Sequence, residues 1–340
     1  MAARHYNTPF YFQAKRFRQL HNQWLFSLDD ALFWGLTDPM LPESALGSYL
    51  SREAAARLRK RVNGRGALAN VSNKARFYRL CEEAGLAIPQ TLGVFVTGVA
   101  RPSRPAEPHM ARIALSSLPD GSFVTKPVWG MKGKGIWFFE KQAEAFTVGA
   151  ETLDASSLGK LLCAHADEDD FIVQRRVLAH PFLKAISGSE AVQSVRMVTF
   201  LDAQGQAHLL FARFKIVRQG NETDNFADGL SGNLIADVDL QTGKITKVLS
   251  KIPSRIGLRP VTTHPDTGKP LAFTLPDWEQ AVQLACEGAR QFHETRSLGW
   301  DIALTPEGPV ILEANQEWEI FPIAPYHKPA PLGEWESLIR

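Results

Sequence analysis

Two carboxylates and an amide stand close together near the end of the sequence, in two apolar segments. The segments flank the turn residues Pro306 and Gly308, which is a hairpin signal. Side chains alternate along a strand, so Asp301 faces one side of the first strand while Glu313 and Asn315 share one side of the second. Acids rarely lie in apolar strands without a partner, and these oxygen ligands suit Mg²⁺. We predict a magnesium site here; the alternative is an edge hairpin with solvated acids.

A lysine inside an apolar strand precedes a glycine-rich turn. Lys126 is followed by Gly130–Gly135, whose G-x-x-G-x-G spacing matches neither the dinucleotide fingerprint nor the P-loop. The bare backbone N–H groups of glycines can approach phosphates closely, and Lys126 needs an anionic partner in an apolar strand. For Lys132 and Lys134 the alternative is a basic surface hairpin.

Further cations occupy predicted helices and strands. Lys74 stands in the first turn of a helix that we expect Ser72 to cap, where the helix dipole disfavours a cation. An anionic partner would explain that placement, although a solvated lysine is the commoner case. Arg196 has apolar strand neighbours, and Arg213 and Lys215 share one face of the next strand, which is either solvated or directed at phosphate.

The elements that must position these residues follow from periodicity and turn signals. An apolar stripe with helical spacing lies near the N-terminus beside Lys15, Arg16 and Arg18. We favour a helix that packs on its own domain; the alternative, an anionic membrane surface, is the weaker interpretation. The proline-rich stretch 100–109 is the best boundary in the first half of the chain, and a later helix is expected to end at Gly299.

Polar residues outside these motifs have plainer interpretations. Asp237 and Asp239 are predicted to be turn and strand-edge acids and not ligands. The candidate general bases are three histidines, each better explained as a loop residue: His180, His264 and His327.

Composition narrows the classes of function. The 340 residues contain 38 Lys and Arg against 36 Asp and Glu, a formal charge of +2, which gives no support for nucleic-acid binding. The three cysteines are far apart and form no zinc spacing, so we expect reduced thiols and a cytoplasmic protein. An apolar signal core and a run long enough to span a membrane are both missing from the sequence.

Taken in order, these motifs resemble the ATP-grasp superfamily over roughly Ser72 to Ile320. Within it, the chain looks like the sugar-transfer-associated group, also described as glutamate-ligase-related. The stretches that carry the resemblance are SNKARFY from Ser72, TKPVWGMKGKGI from Thr125, VQRRV from Val173, SVRMVTF from Ser194, DNFADGLSGN from Asp224, and GWDIAL with ILEAN from Gly299.

The resemblance implies an α+β fold in which two subdomains clasp ATP, preceded by a mainly helical N-terminal region. The implied division is a helical region 1–70, a lead-in 71–120, a small subdomain 121–178 with a glycine-rich lid, and a C-terminal subdomain 179–340 with the magnesium site.

The same resemblance implies roles for individual residues, with ATP and Mg²⁺ as cofactors, two ions expected and Mn²⁺ an alternative. ATP phosphates would contact Lys74, Lys126 and the lid residues Gly130, Met131, Lys132, Gly133 and Gly135. Gln174, Arg175 and Val177 would form the adenine hinge, with the backbone of the last two reading the ring, and Ser194 replaces an acid that often contacts ribose. Arg196, Lys215 and Asn225 would face the γ-phosphate or acyl phosphate, and Asp301, Glu313 and Asn315 would hold the metal, with Glu313 bridging.

The implied activity is ATP-dependent amide formation between a small carboxylate and an amine. The alternatives are kinase-like phosphoryl transfer to a sugar or lipid hydroxyl, and a non-catalytic ATP-binding module of a polysaccharide-assembly complex. Two departures matter: Gln316–Glu319 replaces the usual small residue, Pro and Gly after the E-x-N motif, and residues 1–70 lack the alternating strands of the usual preceding domain. The acceptor and the oligomeric state are left open.

Overall fold

The computed structural model describes residues 1–47, 49–63, 68–98, 110–130, 134–165, 169–253 and 255–319. Its helices are α1 Ala2–His5, α2 Phe10–Trp24, α3 Leu28–Phe33, α4 Glu43–Leu46, α5 Arg52–Asn63, α6 Leu68–Ser72, α7 Lys74–Glu83, α8 Ala155–Ala164, α9 Pro181–Ser187 and α10 Trp278–Gln291. Its strands are β1 Thr91–Phe95, β2 Gly121–Pro127, β3 Trp137–Gln142, β4 Ala145–Val148, β5 Glu151–Leu153, β6 Phe171–Arg175, β7 Ser194–Leu201, β8 Ala207–Ile216, β9 Leu234–Val238, β10 Ile245–Lys251, β11 Leu258–Pro260, β12 Ser297–Thr305 and β13 Gly308–Asn315.

The strands form two antiparallel sheets. The small sheet has the order β1-β6-β2-β3-β4-β5, and the large sheet has the order β11-β10-β9-β8-β7-β12-β13. The predicted C-terminal hairpin is present as β12 and β13, which pair directly. The glycine-rich turn lies between β2 and β3, which also pair as predicted. Helices cover both sheets, so the molecule has the α+β organisation expected from the sequence.

Alternation along β7 divides the large sheet into two faces. Val195 and Met197 point to one face, where they pack with Trp300 and α10 in the main core. Val198 and Phe200 point to the other face and pack against the N-terminal helices, with Phe211 and Trp318 completing this second core. Arg196 lies on the same face as Val198 because the two are separated by two positions. The N-terminal helices therefore cover part of the face that carries the candidate site.

The N-terminal helical region (residues 1–63) is packed on its own chain, as we favoured. Leu20 and Phe26 are fully buried in the second core. Arg16, which the disfavoured membrane alternative would place on a basic surface, is buried, and its guanidinium donates to the carbonyl oxygens of Leu36 and Leu41. Among the described residues, no helix is both long and apolar enough to cross a bilayer.

Two predicted helix boundaries are wrong. Ser72 does not cap α7, because residue 72 ends α6 and Asn73 accepts the N–H of Arg76 in its place. Gly299 does not end α10, which stops at Gln291; Gly299 lies inside β12. Packing explains that glycine, because a Cβ at position 299 would lie 2.5 Å from the Cβ of Trp318.

Candidate active site

The hairpin places the predicted metal ligands as the alternation rule requires. Asp301 stands directly opposite Glu313, and Asn315 stands opposite Gly299 on the same face. Asn315 Nδ2 donates to Glu313 Oε1 at 2.9 Å. Asp301 is 5 % exposed, whereas the Glu313 side chain is 38 % exposed, so a solvated-edge explanation does not hold for Asp301.

Two cations from neighbouring strands hold the Asp301 carboxylate. Arg196 donates to both its oxygens, at 2.6 and 2.8 Å, and Lys215 Nζ lies 3.2 Å from Oδ2. Burial alone would raise the pKa of Asp301, but the charges of Arg196 and Lys215 outweigh it and hold that pKa below its ordinary value. Burial likewise opposes the charge on Lys215, yet Asp224 and Asp301 raise its pKa. Asp301 therefore stays ionised inside the protein.

A row of charged side chains crosses the large sheet at this level. Five adjacent strands each contribute one charged residue at paired positions: Glu313 on β13, Asp301 on β12, Arg196 on β7, Arg213 on β8 and Asp237 on β9. Arg213 donates to Asp237 Oδ1 at 2.6 Å, and both residues are buried. The prediction that Asp237 is a turn or strand-edge acid is therefore wrong. Arg196 and Arg213 are like charges at paired positions and repel each other. Asp301 beside Arg196 and Asp237 beside Arg213 offset that repulsion.

The predicted phosphate lysines face this row from the small-sheet side. Lys126 Nζ donates to Tyr78 Oη at 3.3 Å, and that hydroxyl donates to the carbonyl oxygen of Leu312 next to Glu313. Burial and the like charge of Lys74 lower the pKa of Lys126 to about 8, although Glu313 acts against them. The sequence interpretation missed Tyr78; its position in α7, four residues after Lys74, was the available signal.

Lys74 and Lys126 thus share an electrostatic environment with the hairpin acids. Burial lowers the pKa of Lys74, while the charges of Glu313 and Asp169 partly offset that effect. Lys74 Nζ donates to the carbonyl oxygen of Gly130, at the start of the glycine-rich turn. The structure brings together residues that are far apart in the sequence: two lysines on one side and Asp301, Glu313 and Arg196 on the other.

The predicted lid is described only in part. Gly130 and Gly135 both pack against Pro127, where an added Cβ would lie 2.8 Å from its ring. Gly135 also has a φ of +71°, a conformation that side chains disfavour. Met131, Lys132 and Gly133 lie outside the described residues, so their predicted phosphate contacts stay predictions.

The hinge residues follow β6, with one restriction on their predicted role. The N–H of Arg175 donates to the carbonyl oxygen of Gln90 at 2.9 Å, so it is committed within the fold. The Gln174 side chain is fully buried, and its amide lies 2.9 Å from Thr91 Oγ1. If the adenine ring of ATP binds at this hinge, its contacts would be with the Arg175 carbonyl and the Val177 backbone.

Ser194 has an acidic partner that the sequence did not reveal. Asp224 accepts the N–H of Ser194 at 2.8 Å and also its hydroxyl, and Lys215 Nζ lies 3.5 Å from the same carboxylate. Asp224 therefore lies beside Ser194, the position at which related ligases often carry an acid. Asn225 follows immediately and is exposed, while its Oδ1 accepts the N–H of Ala227.

Two of the candidate histidines, His180 and His264, make hydrogen bonds to the backbone. His264 is fully buried, with Nε2 2.9 Å from the Val217 carbonyl, and His180 Nδ1 accepts the N–H of Phe182 at the start of α9. These contacts agree with a structural role for both. His327 lies outside the described residues.

The donor set fits a magnesium ion. Carboxylate and amide oxygens are the ligands Mg²⁺ prefers, and Glu313 presents a partly exposed carboxylate beside them. Within the described ranges, no three His, Cys, Asp or Glu side chains cluster as a metal site would, so this set depends on two acids plus the Asn315 amide. A metal at Asp301 would have to share an oxygen with Arg196 or displace it.

Sequence comparison decides the family. The profile described as sugar-transfer associated ATP-grasp matches residues 53–325, which is most of the chain. The chain belongs to this family. The predicted resemblance and the predicted ATP-grasp fold are thereby confirmed, and the superfamily consists of ATP-dependent ligases. No curated protein matches the chain.

Three solved structures that match this ATP-grasp protein share little sequence with it. L-amino acid ligase from Bacillus licheniformis shares 12% identity with a TM-score of 0.39, covering 78% of this chain and 45% of that one. D-alanine–D-alanine ligase from Bacillus anthracis shares 8% with a TM-score of 0.38, covering 74% and 58%. The 2-oxoglutarate carboxylase biotin carboxylase domain from Hydrogenobacter thermophilus, solved with MgADP, ADP and bicarbonate, shares 11% with a TM-score of 0.36, covering 74% and 40%. The chain spans about half the length of these structures.

Proposed function

We propose that this protein is an ATP-dependent carboxylate–amine ligase that works through an acyl phosphate. Its substrates would be a sugar acid or an amino acid and an amine, in polysaccharide biosynthesis. The observation that carries the proposal is the convergence of Lys74 and Lys126 with the row of Asp301, Glu313 and Arg196. Such a site supplies charge to a transferring phosphoryl group without a nucleophilic side chain.

The reaction would proceed in two displacements. A substrate carboxylate oxygen attacks the γ-phosphorus of ATP, the bond to ADP breaks, and an acyl phosphate forms. An amine nitrogen then attacks the acyl carbon, a C–N bond forms, and phosphate leaves. Lys74 and Lys126 would hold ATP phosphates, and Arg196, Lys215 and Asn225 would face the transferred group. An interaction made only in the transition state raises the turnover rate. We assign Arg196 such an interaction with the transferred phosphoryl group.

Asp301, Glu313 and Asn315 would hold magnesium. When bound there, the ion would neutralise charge on the phosphate oxygens. The chain's own contribution is to keep Asp301 ionised through Arg196 and Lys215, as the lowered pKa of Asp301 indicates.

Hydroxylamine trapping tests the proposal. The protein is incubated with MgATP, hydroxylamine and pools of sugar acids and amino acids, and ADP and hydroxamate are measured. We expect both products from the pool that contains the correct acid. Arg196→Lys keeps a charge beside the buried Asp301 and should therefore stay folded; it should lose most of the reaction while its affinity for ADP changes little. Lys126→Ala should weaken ADP binding as well.

Other products would contradict the ligase proposal or favour one of the alternative functions. AMP and pyrophosphate would refute the acyl phosphate. ADP with a stable phosphorylated product and no hydroxamate would indicate the kinase. Tight ADP binding without turnover on any pool would indicate a binding module.

A further inference from the structure

The N-terminal helical region contacts segments that carry the candidate site. Arg59 on α5 donates to the carbonyl oxygen of Trp318 at 2.7 Å, and its guanidinium lies 5.1 Å from the Trp318 ring centre. Asn63, at the end of α5, exchanges two hydrogen bonds with the backbone of Ser297, at 2.8 and 3.0 Å. One helix is thus fixed both to the start of β12 and to the segment after β13.

Arg52, at the first turn of the same helix, reaches a third segment. It lies 3.0 Å from the buried carboxylate of Asp30 and 5.7 Å from the ring centre of Phe33. On its other side, Arg52 donates to Asp228 Oδ1 at 2.6 Å. The N-terminal contacts fix the arginine, and the arginine then holds a residue 176 positions away in the sequence.

Asp228 belongs to the bridging loop, residues 224–232, which is part of the connection between β8 and β9. The loop is fixed at its start, where Asp224 bonds Ser194, and at Phe226, which is buried in a small core that Phe33 contacts. Between these anchors and the next strand, the backbone of two adjacent residues is left-handed: Ala227 has a φ of +46° and Asp228 a φ of +52°. Left-handed backbone is unfavourable for side-chain residues, so such a conformation persists only where neighbours fix it.

We propose that Arg52 is a positioning residue: it holds the bridging loop, through Asp228, in the conformation that places Asn225 at the site. The importance of this for turnover rests on the proposed ligase function, whereas the effect on the loop does not. Asn225 Oδ1 accepts the N–H of Ala227 at 3.1 Å, so the left-handed backbone of Ala227 and Asp228 also sets where the Asn225 side chain stands.

A weak contact suffices for this task. An exposed ion pair contributes little to the stability of a whole protein. Left-handed backbone at two adjacent residues costs free energy that neighbouring contacts must offset, so one contact can decide which conformation the loop occupies. Asp228→Asn removes this contact but leaves Arg52 beside the buried Asp30, so it should loosen the loop and leave the fold intact.

Hydrogen exchange of the full-length protein tests the effect on the loop. The N–H of Gly229 donates to Phe226 and the N–H of Leu230 donates to Ala227, so these amides report the loop conformation. In Arg52→Gln, we expect their exchange to accelerate about fivefold, the change that loss of a weak exposed ion pair produces. Arg52→Lys should recover part of the protection.

Arg57→Gln is the matched control, because Arg57 lies on the same helix and pairs with Glu53 on that helix. Exchange in the bridging loop should match wild type in this variant. Asp228→Asn, which keeps the pairing of Arg52 with buried Asp30, should accelerate exchange of the same loop amides as Arg52→Gln does, with no change in melting temperature. Equal loop exchange in Arg52→Gln and wild type would overturn the proposal. A fall in the melting temperature of Asp228→Asn with faster exchange throughout the N-terminal helices would also overturn it, since the contact would then be structural.

Hydroxamate formation tests the consequence for turnover. Arg52→Gln should lower the rate several-fold with unchanged ADP affinity, and Arg52→Lys should restore part of it. If loop exchange accelerates but the rate is unchanged, the positioning role is refuted although the contact is real. If no variant, wild type included, gives hydroxamate while the loop responds as expected, the ligase function fails and the hold of Arg52 on the loop stands.

Discussion

At the scale of single residues, the site is a set of charges that stabilise one another. Asp301 is buried and ionised because Arg196 and Lys215 contact it, while Glu313 opposite has a partly exposed side chain. Breaking a buried pair by removing one partner leaves an uncompensated charge, which is strongly destabilising. Glu313 can therefore be changed with less risk to the fold than Asp301.

Glu313→Gln should abolish ADP formation while the protein stays folded. Glutamine has nearly the same shape but lacks the charge that a bridging magnesium ligand supplies. In EDTA the variant should melt no lower than wild type, because one of two facing carboxylates has been neutralised. Near-normal turnover would remove Glu313 from the metal site, and Glu317→Gln, a nearby exposed acid, serves as the control.

The pKa of Lys126, lowered to about 8 by burial, predicts a pH dependence of nucleotide binding. Phosphates prefer the charged lysine, so ADP affinity should be constant well below pH 8 and fall as the pH rises through 8. Bound phosphate raises the lysine pKa, so binding near pH 8 should take up a proton, which calorimetry in two buffers measures. Lys126→Arg, which stays charged, should bind ADP with little pH dependence between pH 7.5 and 9.5. Equal profiles for both proteins would contradict the assignment.

At the scale of elements, helices and strands depend on partners far along the chain. The second core joins helices of the N-terminal region to β7, β8 and Trp318. Helix α2 alone is short for a stable helix in water, so tertiary packing provides most of its stability. The N-terminal helices and the large sheet should therefore fold together.

Deleting residues 1–35 should give insoluble protein. The deletion removes Leu20, Phe26 and Trp34 from the second core and exposes Phe200 and Phe211 of the large sheet. Solubility after expression measures this, and an exposed-face variant, Lys15→Gln with Arg18→Gln, should stay soluble. Full-length protein should not float with anionic liposomes; salt-sensitive flotation that the deletion abolishes would support the membrane interpretation instead.

At the scale of the whole molecule, the candidate site is divided between two sheets. Lys126 comes from the small sheet, and Asp301 and Glu313 come from the large one. A ligand that contacts both should favour one closed arrangement and stabilise the folded state by mass action.

MgADP should raise the melting temperature, and residues of both sheets should be needed. At about 100 times the dissociation constant the stabilisation is about 2.7 kcal/mol, which corresponds to a rise of about 4 °C. Lys126→Gln and Glu313→Gln should each reduce that rise, whereas Arg57→Gln should not. A full rise in either site variant would place the nucleotide on one sheet alone.

The sequence determined the features that depend on local order. Side-chain alternation in β12 and β13 put Asp301, Glu313 and Asn315 on one face, and an apolar neighbourhood marked Lys126 and Arg196 as candidate site residues. Local periodicity fixes which face a residue takes, since it acts over a few positions. The succession of these motifs was enough to indicate the family.

Only the tertiary structure decided which distant residues meet. The hydrogen bond of Tyr78 to Leu312 spans 234 positions, and the contact of Arg52 with Asp228 spans 176. Neither has a local pattern, because pairing between elements depends on the order of strands and the packing of helices. Asp237 was assigned to a turn or strand edge for the same reason: its partner Arg213 becomes its neighbour only when β8 and β9 pair.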